Sequence, residues 1–213
     1  MKYSVITISR EFGSGGRTVG RLVAEKLGIP FYDRELVNKV ALETGFASEY
    51  IEDAGEYAPV KSKLAFFLSF GHTSHVNGHS AHGHVPPAEY IWATQSRVIR
   101  NLAAEGPCVI VGRCADYILK DRKDALHVFI HAPKDARAER IVRLYGETDC
   151  DPMKRLDEKD KKRRIHYDHF TSRAWGMSQN YALSLDTDVL GVEKCADIIV
   201  ETVKNNAADG IVD

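Results

Sequence analysis

The sequence lacks an excess of charge of either sign, since 29 lysines and arginines stand against 30 acidic residues and the net charge is −1. Proteins that wrap nucleic acid normally carry a broad positive field, so we expect no nucleic-acid partner. An anionic ligand would instead be captured by a local cluster of basic residues. No apolar run approaches the length that spans a bilayer, and we expect no membrane partner.

Paired cysteines are also lacking. The four cysteines, Cys108, Cys114, Cys150 and Cys195, are scattered and form no C-x-x-C pair. A chain of 213 residues can bury a core without disulfides, so we expect reduced thiols. The N-terminus leads straight into a predicted strand, with no charged and then apolar leader. These features together predict a cytoplasmic protein.

A glycine-rich loop follows the first predicted strand. The apolar run 3–9 leads into Gly13, Gly15 and Gly16, and a helix is predicted over residues 16–27. Glycines let successive backbone N–H groups converge on an anion, and the helix adds its positive N-terminal dipole. The loop therefore predicts a phosphate-binding site, with an ordinary strand-to-helix turn as the alternative.

The lysine of the usual phosphate-binding pattern, G-x-x-x-x-G-K-[ST], is missing. A pattern that begins at Arg10 puts Gly16 in the lysine position, and one that begins at Glu11 puts Arg17 there. In both registers Thr18 lies near the metal position and Arg17 near the phosphates. We therefore expect Arg17 to supply the missing cation.

Short apolar runs alternate with helical patterns along the rest of the chain. This alternation predicts an α/β fold with a parallel sheet, helices on both faces and a ligand site at the carboxyl ends of the strands. Further strands are predicted at 29–32, 107–111, 126–131 and 183–186. Further helices are predicted at 33–43, with Asp33 as N-cap, at 89–104, after residue 135, and at 192–203.

Two segments depart from this alternation. Residues 70–84 hold five of the nine histidines, and we predict a flexible loop, with a substrate gate or a metal site as alternatives. Residues 151–173 form the most basic stretch of the chain. A solvated helix face is one interpretation, and a set of mobile cations that neutralise a transferring phosphoryl group is the other.

Five ordered motifs together resemble one family of kinases. They comprise residues 8–17, 31–36, 109–116 and 138–143, and residues 159–163 with Asn180-Tyr-Ala-Leu downstream. Over roughly residues 2–205 the chain resembles the cytidylate kinase-like family of P-loop nucleoside monophosphate kinases. The resemblance implies an α/β fold with a P-loop NTPase-type parallel sheet flanked by helices on both faces, and a helical lid.

The resemblance also implies an organisation of the chain. Residues 1–205 would form a single kinase domain, with an acceptor-binding insertion at about 47–87 and the basic lid at about 151–173. Residues 206–213 would form a frayed tail. ATP and Mg²⁺ would be the cofactors.

The matching motifs imply roles for individual residues. The ATP-binding residues would be Gly13, Ser14, Gly15, Gly16, Arg17, Thr18, Arg140 and Arg143. The acceptor-binding residues would be Asp33, Arg113, Asp116, Asp160 and Arg163. The catalytic residues would be Arg17, Asp33, Arg163 and Arg164, and Mg²⁺ would lie at Thr18 and Asp33.

Two of these roles have a specific chemistry. Arg140 would stack on adenine through a cation–π contact. Asp160 would accept a hydrogen bond from the exocyclic amine of cytosine, a donor that uracil lacks, although an Asp-x-x-Arg pair is also a common surface ion pair.

The sequence thus predicts an ATP-dependent phosphotransferase whose substrates are small-molecule nucleotides. The predicted acceptor is a nucleoside monophosphate, with CMP as the first candidate. The alternatives are a P-loop kinase for another small acceptor, a nucleotide-binding regulatory protein that lost turnover with the lysine, and a metal-handling protein built on the histidine-rich segment. The oligomeric state stays open.

Overall fold

A computed structural model describes residues 2–48, 51 and 87–205 of the chain. Five strands in these residues form one sheet in which every neighbouring pair is parallel. The strands are β1 (Val5–Arg10), β2 (Phe31–Tyr32), β3 (Cys108–Val111), β4 (Ala125–His131) and β5 (Leu183–Asp186). The helices are α1 (Gly16–Leu27), α2 (Arg34–Thr44), α3 (Pro87–Glu105), α4 (Ala115–Ile118), α5 (Lys134–Tyr145), α6 (Pro152–Thr171) and α7 (Val192–Lys204).

The strand order is β2-β3-β1-β4-β5, so β1 is central. Its residue Val5 lies opposite Cys108 of β3 on one side and Ala125 of β4 on the other. The chain first builds the β3 side of the sheet and then crosses to the β4 side. In open parallel sheets, ligands bind at such a change of direction, outside the carboxyl ends of the strands. The glycine-rich loop follows β1 at this point.

The core has two layers, one on each face of the sheet. Consecutive residues of a strand point to opposite faces, and Val5 accordingly packs in one cluster while Ile6 packs in the other. The first cluster joins the sheet to α2 and α3, and the second joins it to α1 and α7. The central strands β1 and β3 are buried on both sides, whereas the edge strands β2 and β5 are partly exposed.

The predicted fold class is confirmed: a parallel sheet is flanked by helices on both faces. The basic stretch 151–173 forms the 20-residue helix α6. Most of the predicted acceptor insertion, the histidine-rich segment and the predicted frayed tail lie outside the described residues. In the part of the chain that the structure describes, no helix is long and apolar enough to cross a membrane.

Candidate functional site

The loop between β1 and α1 has a backbone that requires glycine. Gly13 and Gly15 have φ values of 76° and 82°, in the left-handed region that residues with a Cβ rarely adopt. A Cβ on Gly13 would also lie 2.8 Å from the side chain of Ile141 on α5. The glycines therefore allow both the turn of the loop and its close contact with α5.

Side chains from other elements hold the carbonyl groups of this loop. Arg137 Nη1 donates to the Phe12 carbonyl at 3.0 Å, and Arg140 Nη1 donates to the Gly13 carbonyl at 2.9 Å. The Thr187 hydroxyl donates to the Ser14 carbonyl at 2.6 Å. The N–H of a trans peptide points away from its carbonyl, so the N–H groups that follow Phe12 and Ser14 face the other side of the loop. Backbone N–H groups exposed in this way are suited to bind phosphate.

A buried ionic network joins this loop to α6. Asp160 Oδ1 accepts from the Phe12 N–H at 2.8 Å, and Asp160 Oδ2 accepts from Arg137 Nη1 at 2.6 Å. Arg137 Nε also lies 3.4 Å from Glu11 Oε2, and burial raises the pKa of Glu11. Arg137 and Asp160 are both buried, so their charges depend on each other.

On the β2 side of the loop, the Arg17 side chain pairs with Asp33. Arg17 Nε lies 2.5 Å from Asp33 Oδ2, and the Arg17 side chain is 49% exposed. Asp33 occupies the N-cap position of α2, as predicted, but its side chain makes no capping hydrogen bond. Its carboxylate is directed to α1 instead of to its own helix.

The turn after β3 is strained. Gly112, Arg113 and Cys114 have consecutive φ values of 71°, 60° and 53°. Two of these residues carry a Cβ, and such conformations persist only where surrounding contacts enforce them. Arg113 is held at both ends, because its Nη1 donates to the Ile51 carbonyl at 2.8 Å and its own carbonyl accepts from Gln95 Nε2 at 3.2 Å.

Asp116 lies just behind this turn and is buried. It accepts from the Ser9 hydroxyl at 3.1 Å and from the Tyr167 hydroxyl at 2.6 Å. Burial raises the pKa of Asp116, while the hydrogen bonds from Tyr167 and Ser9 act in the opposite direction. Asp116 therefore connects the end of β1 to α6.

A cavity opens between β1, the turn after β3, and α6. It is lined by Ser9, Arg10, Gly112, Arg113, Cys114, Arg163, His166, Tyr167 and Trp175. Three of these residues are arginines that come from three different elements. Because guanidinium groups match phosphate and carboxylate oxygens in charge and geometry, the cavity suits an anion. It lies at the same edge of the sheet as the glycine loop.

The cytidylate kinase-like family matches residues 5–189 of the chain, which include the loop, the cavity and α6. The chain belongs to the cytidylate kinase-like family. The predicted resemblance is thereby confirmed. No curated protein sequence matches the chain.

Solved structures share the fold. An uncharacterized protein from Eubacterium ventriosum is 25% identical, with a TM-score of 0.67, and the match covers 93% of this chain and 97% of that one. A shikimate kinase from Acinetobacter baumannii, solved with shikimate, is 16% identical with a TM-score of 0.52, and 97% and 96% of the two chains are covered. A shikimate kinase from Bacteroides thetaiotaomicron is 16% identical with a TM-score of 0.51, and 94% and 98% are covered. Family and fold together make the chain a P-loop kinase.

The residues predicted for this P-loop kinase fall into three groups. Those at the carboxyl edge of the sheet are Gly13, Ser14, Gly15, Gly16, Arg17, Thr18, Asp33, Arg113 and Asp116. Those brought against the loop or the cavity by α5 and α6 are Arg140, Asp160 and Arg163. Arg143 and Arg164 are exposed on α5 and α6. The roles of all these residues stay predictions.

Two contributing residues were missed in the sequence. Arg137 was visible on the charged helix, but its partners include a backbone carbonyl, which no sequence pattern reveals. Its spacing of three residues from Arg140, on one helix face, was the available signal. Arg10 lies in the first matching motif, residues 8–17, but the sequence assigns it no role. The structure shows that it lines the cavity.

Mg²⁺ is implied by the family, and the oxygens of Thr18 and Asp33 fit it, with Asp33 also paired to Arg17. Thr18 lies in the first turn of α1 and is exposed, and Asp33 follows β2 at the same edge of the sheet. Hydroxyl and carboxylate oxygens suit Mg²⁺, which usually keeps several waters and the substrate phosphates as its other ligands. In the described residues, no group of three or more histidines, cysteines and carboxylates could hold a metal ion. Thr18 and Asp33 would therefore share the ion with nucleotide phosphates.

Proposed function

We propose that the protein transfers the terminal phosphoryl group of ATP, in the presence of Mg²⁺, to a small acceptor, and that the acceptor is a nucleoside monophosphate with CMP as the first candidate. Family membership supports the reaction class. The identity of the acceptor goes beyond the reaction class and is argued from the site below.

One observation carries the proposal: two anion-binding features adjoin each other at one edge of the sheet. The glycine loop and the first turn of α1 offer N–H groups to the donor phosphates. The cavity offers Arg113 and Arg163 to the phosphate of the acceptor. Ser9 and Arg10 end β1 beside both features, so the two phosphates would meet there.

This arrangement suits phosphoryl transfer, which needs positioning and charge neutralisation more than covalent chemistry. The loop N–H groups would fix the donor, and the cavity arginines would fix the acceptor in line with it. Mg²⁺ would supply further neutralisation of the donor phosphates when bound. Arg163 also donates to the Arg10 carbonyl at 3.3 Å, which ties the position of α6 to the end of β1.

Of all parts of the proposal, the base of the acceptor nucleotide has the fewest contacts to support it. The family motif implies that Asp160 reads the amine of cytosine, and this role stays a prediction. Both of its oxygens also serve the loop, through the Phe12 N–H and Arg137, and this favours a positioning role beside or instead of base reading.

Purified protein, ATP and Mg²⁺ incubated with a panel of acceptors would test the proposal. We expect ADP formation above the ATP-only background with CMP, and less with UMP and AMP. Shikimate belongs in the panel because two solved proteins with this fold are named shikimate kinases. Turnover with shikimate alone would move the proposal to another small-acceptor kinase, and tight ATP binding without any transfer would favour a regulatory nucleotide-binding protein.

An Arg113→Gln variant sharpens this assay, because it removes a charge from the cavity and keeps part of the side-chain volume. We expect a higher KM for the acceptor with little change in ATP affinity. Arg100→Gln, an exposed substitution on α3, is the matched control. Equal KM values for the two variants would show that the cavity does not bind the acceptor.

A further inference from the structure

The first and seventh positions of the loop pattern have exchanged their residue types. In the pattern G-x-x-x-x-G-K the first position is glycine and the seventh is lysine. In the register that begins at Arg10, Arg10 stands at the first position and Gly16 at the seventh. The two positions together therefore still hold one cation and one glycine. The cation, however, stands at the start of the loop instead of after its last glycine.

The contacts of Gly16 explain why no lysine stands there. A Cβ on Gly16 would lie 2.5 Å from the Cβ of Arg10, 3.0 Å from its Cγ and 3.2 Å from the Cβ of Ile130. Real Cβ atoms do not approach other atoms below about 3.0 Å. The stem of Arg10 therefore occupies the space from which a lysine side chain at position 16 would start.

A second glycine accommodates the head group of Arg10. A Cβ on Gly112 would overlap Arg10 Nη1 and would lie 2.9 Å from Arg10 Cζ. The guanidinium thus lies against the backbone of Gly112, in the turn after β3. Gly16 and Gly112 belong to different motifs of the sequence, yet both leave room for the same side chain.

The position of this guanidinium suits a phosphate ligand. The Arg10 stem passes the first residue of α1, whose N–H group belongs to the helix terminus that attracts anions. Arg10 lines the cavity together with Arg113 and Arg163, and so does Gly112, against which its guanidinium lies. Arg10 therefore lies between the donor loop and the residues proposed for the acceptor.

Arg17 is the competing cation. Its Nε is engaged with Asp33 at 2.5 Å, on the β2 side of the loop, and half of its side chain faces solvent. Arg10 is partly buried and lies on the cavity side.

We propose that Arg10 is the phosphate-binding cation of this P-loop, in place of the lysine that the pattern normally carries after its last glycine. The inference rests on the proposed function, because it assumes that the loop binds the phosphates of ATP. The guanidinium would contact the outer phosphates of the donor and neutralise charge as the phosphoryl group moves.

Binding measurements with three ligands test the inference. Wild-type protein should bind Mg²⁺–ATP and Mg²⁺–ADP more tightly than adenosine. Arg10→Ala should weaken the affinity for ATP by roughly 10- to 100-fold, as expected for loss of a charged hydrogen-bonding partner, and leave adenosine affinity unchanged. Arg17→Ala is the direct comparison, and Arg100→Ala, exposed on α3, is the matched control.

Exchange of the two residues gives a second and independent test. Gly16→Lys alone should lower the melting temperature, because its Cβ meets the Arg10 stem. Arg10→Gly alone should lose ATP affinity. The double variant Arg10→Gly with Gly16→Lys restores the usual pattern and should recover at least about tenfold in ATP affinity relative to Arg10→Gly, since the lysine supplies the same charge from position 16.

The outcomes separate the inference from the proposed function. A wild-type protein that binds neither ATP nor ADP would reject both. A wild-type protein that binds ATP, with Arg10→Ala folded and equally tight, would reject the role of Arg10 alone. The inference is also rejected if Arg17→Ala causes the loss instead, or if the folded double variant recovers nothing.

Discussion

Arg137 and Asp160 form the pair on which the geometry of the loop depends. Arg137 contacts the Phe12 carbonyl, Asp160 and Glu11 through one guanidinium group. Asp160 in turn accepts from the Phe12 N–H. A single residue of the loop, Phe12, is thus held at both its carbonyl and its N–H. The buried charges of Arg137 and Asp160 thus hold the backbone of the loop in place.

Asp160→Ala should therefore act on the whole site. We expect the free energy of unfolding to fall by about 3–5 kcal/mol, because Arg137 stays buried without its main partner. The kcat/KM values for CMP and UMP should fall by similar factors, since the loop serves both reactions. Chemical denaturation and steady-state kinetics measure these effects. Asp157→Ala, exposed on the same helix, is the control and should change both quantities far less.

A larger loss with CMP than with UMP would contradict this expectation. It would show that Asp160 reads the base, as the family motif implies. Equal losses would leave Asp160 as a positioning residue.

We expect the ionisation of Asp116 to make the stability of the fold depend on pH. Burial raises its pKa above the ordinary value of 3.8, so the folded protein binds the proton more tightly than the unfolded chain. The stability from this group is present below the ordinary pKa and is lost as the pH rises through the raised value. His127 and Tyr181 interact with Asp116 electrostatically and stay in place in the variant below.

Asp116→Asn cannot ionise but keeps an oxygen that can accept from Tyr167. We expect the stability of the wild type, relative to this variant, to decrease as the pH rises above the ordinary aspartate pKa of 3.8. Urea denaturation at a series of pH values measures the difference. The same comparison with Asp121→Asn, an exposed aspartate, measures the effect of the substitution at the surface. A difference that does not change with pH would refute the role of Asp116.

Among the elements, α1 is a helix whose limits the sequence predicts. Its predicted limits, 16–27, agree with the structure because glycines mark both ends: Gly15 caps the start, and Gly28 follows Leu27 in a left-handed conformation. The four-residue helix α4 was not predicted, since so short a segment has no measurable periodicity. It forms where Arg113 and Cys114 take unusual backbone conformations, which depend on tertiary contacts.

Part of the candidate site could also be predicted from the sequence. The glycine loop, Asp33 and Arg113 follow strand ends, and a parallel sheet brings its strand ends together. The role proposed for Arg10 depends on the distance between Arg10 and Gly16. They are six positions apart in the sequence, and only the folded loop shows that one occupies the space of the other.

The helix α6 is proposed to act as a lid. Its anchored side carries Asp160, Arg163, His166 and Tyr167, all buried against the rest of the site. Its other side is densely basic and exposed. Like charges on one helix repel each other, and bound phosphates would reduce this cost.

Hydrogen exchange tests the lid at the level of this element. We expect exchange over residues 152–171 to slow with a non-hydrolysable ATP analogue plus CMP, and to slow less with either ligand alone. The end of α7, residues 196–204, packs with α1 in the second core cluster and serves as an internal reference. Unchanged exchange over α6 would make it a static basic face.

At the scale of the whole molecule, a nearly neutral chain brings three arginines together at one edge of its sheet. Arg10, Arg113 and Arg163 come from positions far apart in the sequence and line one cavity. The net charge of −1 gives no broad attraction for polyanions. The selectivity of the protein for small phosphorylated ligands would therefore depend on the geometry of this edge.

Ligand-dependent melting of the whole chain tests this selectivity. A ligand that binds only the folded state at about 100 times its Kd adds about 2.7 kcal/mol to the free energy of unfolding. For a chain of this size, 1 kcal/mol raises Tm by roughly 2–4 °C, so saturating Mg²⁺–ATP should raise it by about 5–10 °C. ATP with CMP should raise Tm further, because each ligand fills a different part of the edge. Single-stranded DNA at the same phosphate concentration should leave Tm unchanged, since a net charge of −1 gives little overall attraction for a polyanion. A shift with DNA as large as that with ATP would mean that the edge recognises phosphate charge alone.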